Sequence, residues 1–230
     1  MKYDFDLIVI GGGAAGLFAA SVANSLGART CMIDKTRLGG DCTWFGCMPS
    51  KALLTAAAHG FDGSRALAHV KDVVSEIATH HPKEVFEKRG IKVLFGRTQF
   101  IDKNTIEIND QKISAKKFII STGSHPAIPP IEGLNVIDYF TNENIFDLKT
   151  LPSSLIVLGG GPIGIELSQA LSRLGVKVYN VEMMDRIMSR EDAEAAGILE
   201  NSLKKSGVQL MTGRRAVRFF KKDNRVFVTL

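Results

Sequence analysis

One pattern of eleven residues occurs twice in this chain, and it leaves few folds open. Residues 6–16 read DLIVIGGGAAG and residues 154–164 read SLIVLGGGPIG. In each copy a short β-branched run stops at a glycine cluster, and small or apolar residues then begin a helix. Gly27 and Gly175 stop those helices just after Leu26 and Leu174. A second apolar run follows, closing on Asp34 in the first copy and on Glu182 in the second. Gly159 lies 148 positions after Gly11, and Glu182 lies 148 positions after Asp34. Strand, turn, helix, strand is therefore written twice at one spacing.

Each copy carries G-x-G-x-x-G: Gly11, Gly13 and Gly16, then Gly159, Gly161 and Gly164. The first glycine permits the tight turn, the second lets a pyrophosphate approach the backbone, and the third lets helix and strand pack closely. The helix N-terminus, with Ala14-Ala15 in one copy and Ile163 in the other, offers free N–H groups and a positive dipole end to phosphates. Asp34 and Glu182 stand where a carboxylate accepts hydrogen bonds from ribose hydroxyls. A single such fingerprint is weak, because glycine turns are common. Two copies, each between a strand and a helix, predict two dinucleotide sites in an α/β chain of two Rossmann-like domains. The bland alternative is that one copy is a turn that binds nothing.

Between the copies the organisation changes. Residues 64–89 read as largely helical, with Val70, Val73, Val74 and Ile77 as an apolar stripe. His80-His81 near its end lacks a carboxylate or cysteine at metal-ligand spacing, so solvent-exposed histidines are expected there and no metal site. Residues 91–120 read as a β-meander, and Pro126, Pro129 and Pro130 mark an extended connection. A linker near Leu151-Pro152 divides the chain into a first domain, 1–150, and a second, 151–230.

Composition narrows the class. At 45% hydrophobic and 23% charged, the chain reads as globular, not disordered. The net charge of +5 comes with scattered basic doublets, such as Lys116-Lys117 and Arg214-Arg215, and with few interleaved aromatics, so no nucleic-acid partner is expected. No apolar run approaches the length of a membrane span, and the N-terminal apolar run flows into a glycine turn like a strand, so no membrane partner and a cytoplasmic location are expected. Three cysteines argue against a disulfide framework. Cys31, in the run Thr30-Cys31-Met32-Ile33, reads as a small buried hydrophobe.

Cys42 and Cys47 differ. They lie in GGDCTWFGCMPSKALL, residues 39–54, with four residues between them. Pro49 suits a first helical turn, so Cys47 is expected at a helix N-terminus, where the dipole favours the reactive thiolate. Lys51, one turn on, adds positive charge. Three readings compete. Zinc needs two more ligands, and Cys31 is poorly placed to be one. A structural disulfide suits a reducing compartment badly. A catalytic dithiol beside a flavin accounts for the glycines, the helix start and the lysine together.

On these residues the chain resembles the pyridine nucleotide-disulfide oxidoreductases, the family of dihydrolipoamide dehydrogenase, glutathione reductase and mercuric reductase. Gly39, Gly40, Cys42, Gly46, Cys47, Pro49, Ser50 and Lys51 match the active-site signature, and Ser121-Thr122-Gly123-Ser124 with Pro126 resembles a second flavin-contact segment. The resemblance implies that Gly11, Gly13, Ala14, Ala15, Gly16, Asp34 and Lys35 meet FAD, together with Gly40, Asp41, Gly46, Ser50, Lys51, Thr122, Gly123 and Ser124. It makes Cys47 the thiol beside the flavin and Cys42 the thiol that exchanges with substrate, with Lys51 near the flavin's reactive edge. Gly159, Gly161, Ile163, Gly164, Glu166 and Glu182 would bind NAD. The implied reaction passes electrons between nicotinamide, flavin and a Cys42–Cys47 disulfide, acting on lipoamide, mercuric ion or another small disulfide. Trp44-Phe45 in the cysteine loop departs from the Asn-Val usual in dihydrolipoamide dehydrogenase, and the substrate stays open.

The chain ends in RVFVTL, which reads as a strand awaiting partners. The resemblance implies an incomplete NAD domain, with a third flavin motif and the C-terminal domain of a homodimer lying beyond. The competing expectation is a non-catalytic nucleotide-binding fragment that holds FAD, or nothing, and turns nothing over.

Overall fold

A computed structural model describes residues 3–223 and 225–230. The elements run β1 (Phe5–Ile10), α1 (Ala14–Ser25), β2 (Thr30–Asp34), α2 (Gly40–Trp44), α3 (Cys47–Ala58), α4 (Gly63–Ala78) and α5 (Lys83–Lys88). Four strands follow: β3 (Lys92–Phe95), β4 (Thr98–Phe100), β5 (Thr105–Ile108) and β6 (Gln111–Ile120). The remainder is β7 (Ser154–Leu158), α6 (Pro162–Arg173), β8 (Lys177–Val181), α7 (Ala193–Lys205), β9 (Gln209–Met211), β10 (Arg218–Lys222) and β11 (Arg225–Thr229). Two compact units result, one from 1–47 with 74–125 and the other from 48–73 with 126–230.

The first unit is a six-stranded sheet in the order β3-β2-β1-β6-β5-β4. β1 pairs in parallel with β2 and with β6. Both faces are covered, which explains why β1 and β2 read as continuous apolar runs. Ile8, Ile10, Cys31 and Ile33 pack on one side with Ile106 and Ile108. Val9 and Met32 point the other way, against Ala20, Phe86 and Val93. Each buried Ile or Met contributes about 1.5–3 kcal/mol through the water it leaves. Burial also pushes the Cys31 thiol up to about 12, an inert core residue as expected.

Two segments differ from their sequence pattern. The helix expected over 64–89 is two helices, α4 and α5. His81 precedes Pro82, whose extended ψ of 149° caps α5, and a residue before proline avoids helical backbone. His80 is exposed, while His81 is half-buried and its pKa is lowered by that burial. The meander expected over 91–120 starts later: β3 pairs in parallel with β2, and only β4, β5 and β6 form antiparallel neighbours. The chain breaks between β3 and β4 at Gly96, where φ is +153°. β6 changes partner along its length, pairing with β5 through Ser114 and with β1 from Ala115 onward.

The second unit repeats the motif with fewer strands. β7, β8 and β9 form a parallel sheet in that order, with register Leu158↔Val181 and Val181↔Met211. α6 opens on Pro162 after an extended Gly161, and α7 is capped by Asp192, which accepts from the Ala195 amide at 2.9 Å. β10 and β11 form a separate hairpin with Phe220 stacked on Phe227. No helix among the described residues is long and apolar enough to cross a membrane.

Candidate functional site

The first glycine turn is built by three close approaches. Gly11 has φ of +107°, and a methyl group there would run into the Ser121 carbonyl. A methyl on Gly16 would strike the Gly11 carbonyl, so α1 starts pressed against the turn. The Gly12 amide donates to Asp34 Oδ2 at 2.8 Å, while Thr36 and Arg37 donate to Oδ1 at 3.0 and 3.2 Å. Asp34 therefore holds the turn itself, with acceptor capacity to spare on a carboxylate that has about four lone-pair sites. Ser121, at the end of β6, lies within reach of the Ile10 and Gly11 carbonyls at 3.1 and 3.0 Å. Thr122, Gly123 and Ser124 follow it as exposed chain, and Ala14, Ala15 and Lys35 are exposed too.

The first cysteine is delivered to that turn. The Gly39 amide donates to the Gly12 carbonyl at 2.8 Å, and Gly40 lies so close to Gly13 that a side chain on it would collide with the Gly13 Cα. α2 thus begins on the turn and carries exposed Asp41 and half-buried Cys42. Trp44 Nε1 donates to the Leu38 carbonyl at 2.8 Å, and the Arg37 guanidinium sits 3.8 Å from the Trp44 ring centre. Gly46 folds back on α2: a Cβ there would lie 3.5 Å from the Cys42 Cα. Cys47, next in the chain, is exposed and opens α3, where the sequence places a helix start.

In the second unit, Lys51 Nζ meets Glu166 Oε1 at 2.6 Å. Sequence reasoning named both residues for separate reasons; they are 115 positions apart and form one ion pair. Lys51 Nζ also lies 3.5 Å from the Oγ of buried Ser50. The second glycine turn copies the first. Gly159 has φ of +104°, Gly164 abuts its carbonyl, and the Gly160 amide donates to Glu182 Oε2 at 2.6 Å. Met184 donates to Oε1 at 2.7 Å. An open crevice of about 230 Å³ is lined by Gly160, Gly161, Pro162, Glu182, Ser189 and Arg190, and Ile163, next in the chain after Pro162, is exposed.

Arg190 is a residue the sequence pattern did not single out, because it stands eight positions beyond Glu182 and is brought back by the loop. That loop is held by Arg186, which donates to the Met188, Ser189 and Glu191 carbonyls.

A pair of glycine turns with a dithiol signature beside the first defines a class of protein. The profile of the pyridine nucleotide-disulphide oxidoreductases matches residues 5–230, and the chain belongs to that family. Among its relatives, mercuric reductase of Staphylococcus aureus is 35% identical over 227 residues, covering 91% of this chain and 42% of the relative. Dihydrolipoyl dehydrogenase of Bacillus subtilis is 33% identical, with 94% and 52% covered. The copper(II) complex of RclA, an HOCl-induced flavoprotein disulfide reductase of Escherichia coli, superposes with a TM-score of 0.90 at 27% identity, over 100% of this chain and 54% of that one. The chain spans about half the length of most of these relatives.

Proposed function

We propose that the complete protein carrying this chain is an FAD-dependent, NADH-linked reductase that works through a Cys42–Cys47 disulfide. One observation carries the reading: α2, with Cys42, begins in backbone contact with the first glycine turn at Gly39–Gly12 and Gly40–Gly13. A pyrophosphate seated on Gly11–Gly16 would then lie beside the dithiol segment. The residues fit such a group, since the turn presents bare backbone at the start of α1 and Asp34 keeps acceptor capacity for a ribose. FAD, when bound, supplies two-electron transfer between nicotinamide and the dithiol. Domain 1–150 would serve FAD and domain 151–230 would serve NADH.

The chain's own part in the reaction balances as NADH, one proton and a disulfide giving NAD and two thiols. Cys47, at the start of α3, is the thiol that would stand beside the flavin. Cys42 then attacks a small disulfide, forming a mixed disulfide and releasing one thiol, and Cys47 closes the Cys42–Cys47 disulfide and releases the second. A thiophilic metal ion as substrate would instead take the thiols as ligands and NADH as its two-electron reductant. With the cofactors bound, Lys51 would serve the flavin edge and Glu166 the nicotinamide edge, and the ion pair between them orients the two side chains. The working assembly is a cytoplasmic homodimer.

The test uses the complete polypeptide. Two-electron reduction should give a long-wavelength thiolate-to-flavin absorbance band. Cys47→Ser should abolish it, and Cys42→Ser should show it without added reductant. A band that survives Cys47→Ser overturns the assignment. A protein that binds FAD and shows neither band nor turnover is a nucleotide-binding module instead.

A further inference from the structure

The second glycine turn has a support that the sequence fingerprint does not contain. Asn180 is fully buried in β8, a strand otherwise read as KVYNV. Its Nδ2 donates to the Gly159 carbonyl at 3.1 Å and to Ser168 Oγ, on α6 and equally buried, at 3.0 Å. The amide orientation follows from the partner, since a carbonyl only accepts. The Asn180 Oδ1 is buried with no hydrogen-bond partner among the described residues. Burying an amide costs free energy that its hydrogen bonds must offset, and the two Nδ2 bonds end on the turn and on the helix that follows it.

The first unit supplies a control. The positions 148 residues earlier are Met32 and Ala20, both fully buried and apolar. There the Gly11 carbonyl is reached from outside the repeat, by Ser121 Oγ at 3.0 Å. The peptide joining the first two glycines is therefore gripped at both ends in each unit. A carboxylate takes its N–H, from Gly12 to Asp34 and from Gly160 to Glu182. A side-chain donor holds its carbonyl, Ser121 in one case and Asn180 in the other. Asn180 and Glu182 are two positions apart along one extended chain, so both reach the same side.

We propose that Asn180, backed by Ser168, is a positioning residue for dinucleotide binding by the second unit. It fixes the Gly159–Gly160 peptide plane and with it the direction of the amides offered to the pyrophosphate. This rests on the reading of that unit as the NADH site.

The experiment compares the complete FAD-loaded protein with a Ser168→Ala/Asn180→Met double variant, which installs the first unit's apolar pair, and with Ser168→Ala alone. The double variant should raise KM for NADH by about tenfold, with kcat unchanged within about twofold. Ser168→Ala alone keeps the bond from Asn180 to Gly159 but loses its backing, and should raise KM by less than the double variant does. Amide hydrogen exchange at Gly160, read without cofactor, should quicken by about tenfold in the double variant and by less in Ser168→Ala. Unchanged exchange and KM in a protein that oxidises NADH overturn the proposal. So does a fall in kcat with KM unmoved. Faster Gly160 exchange in a protein that never binds NADH would leave the peptide clamp standing and overturn the nicotinamide reading.

Discussion

The two glycine turns share a fingerprint and a carboxylate, and they differ in what stands beside them. In the first, β6 runs alongside β1 and Ser121, the residue after it, closes over the turn, so that Gly11 is packed against Ser121. In the second, a Cβ on Gly159 would meet nothing within 4 Å, and among the described residues β7 pairs only with β8. The first turn borrows its carbonyl donor from a neighbouring strand. The second finds one inside its own repeat, at the cost of a polar pair in the core. A fingerprint thus specifies the shape of a turn without specifying how that shape is held.

The largest test of this contrast is a matched pair, Gly11→Ala and Gly159→Ala. Both place a side chain at positive φ, which costs about 1–3 kcal/mol. Gly11→Ala adds a collision with the Ser121 backbone and should exceed about 4 kcal/mol. Denaturant unfolding followed separately in the two units would measure this, and equal losses would erase the distinction.

The carboxylates should behave alike where the glycines do not. Asp34→Asn and Glu182→Gln each turn an NH2 group toward a backbone N–H, and each should cost about 1.5–3 kcal/mol. The first should lower FAD retention. The second should raise KM for NADH and relax a preference for NADH over NADPH, because a carboxylate repels a 2′-phosphate. A wild-type preference for NADPH would show that Arg190, in the same crevice, outweighs Glu182.

The smallest effect belongs to the first unit alone. Asp6 meets Lys116 at 2.7 Å and Arg29 at 3.2 Å, tying β1 to the middle of β6 and to the residue before β2. The Lys116 ammonium, then the Arg29 amide and guanidinium, hold its carboxyl well below the usual range. A lowered folded pKa stabilises above the unfolded value of about 3.9 and is lost as pH falls below it. Thermal melts of wild type and Asp6→Asn at pH 7 should differ slightly, and the gap should narrow at pH 3 and at high salt. An unchanged gap at pH 3 would remove Asp6 as the linked group.

Much of the candidate site is legible in the chain because it is local. The glycine spacing, the acids closing β2 and just past β8, and Pro49 beside Cys47 each act within a few residues. The split at Pro82 is legible too, because the residue before a proline avoids helical backbone. The pairing of β3 with β2 was not, since a short apolar strand carries no mark of its partner. Asn180 left a faint trace, a polar residue in an apolar strand, whereas Ser121 left none.

By itself the sequence determined that two strand–turn–helix units exist, that each turn needs glycine, and that Cys47 begins a helix. Those follow from backbone sterics and dipoles over short spans. Tertiary structure alone decided that Lys51 meets Glu166 and that Ser121 and Asn180 hold corresponding carbonyls. These depend on which strand or helix packs beside which. A hydrogen bond between residues 110 positions apart, such as that from Ser121 to Gly11, has no spacing signature, because the sheet that joins them is assembled by burial and not by proximity along the chain.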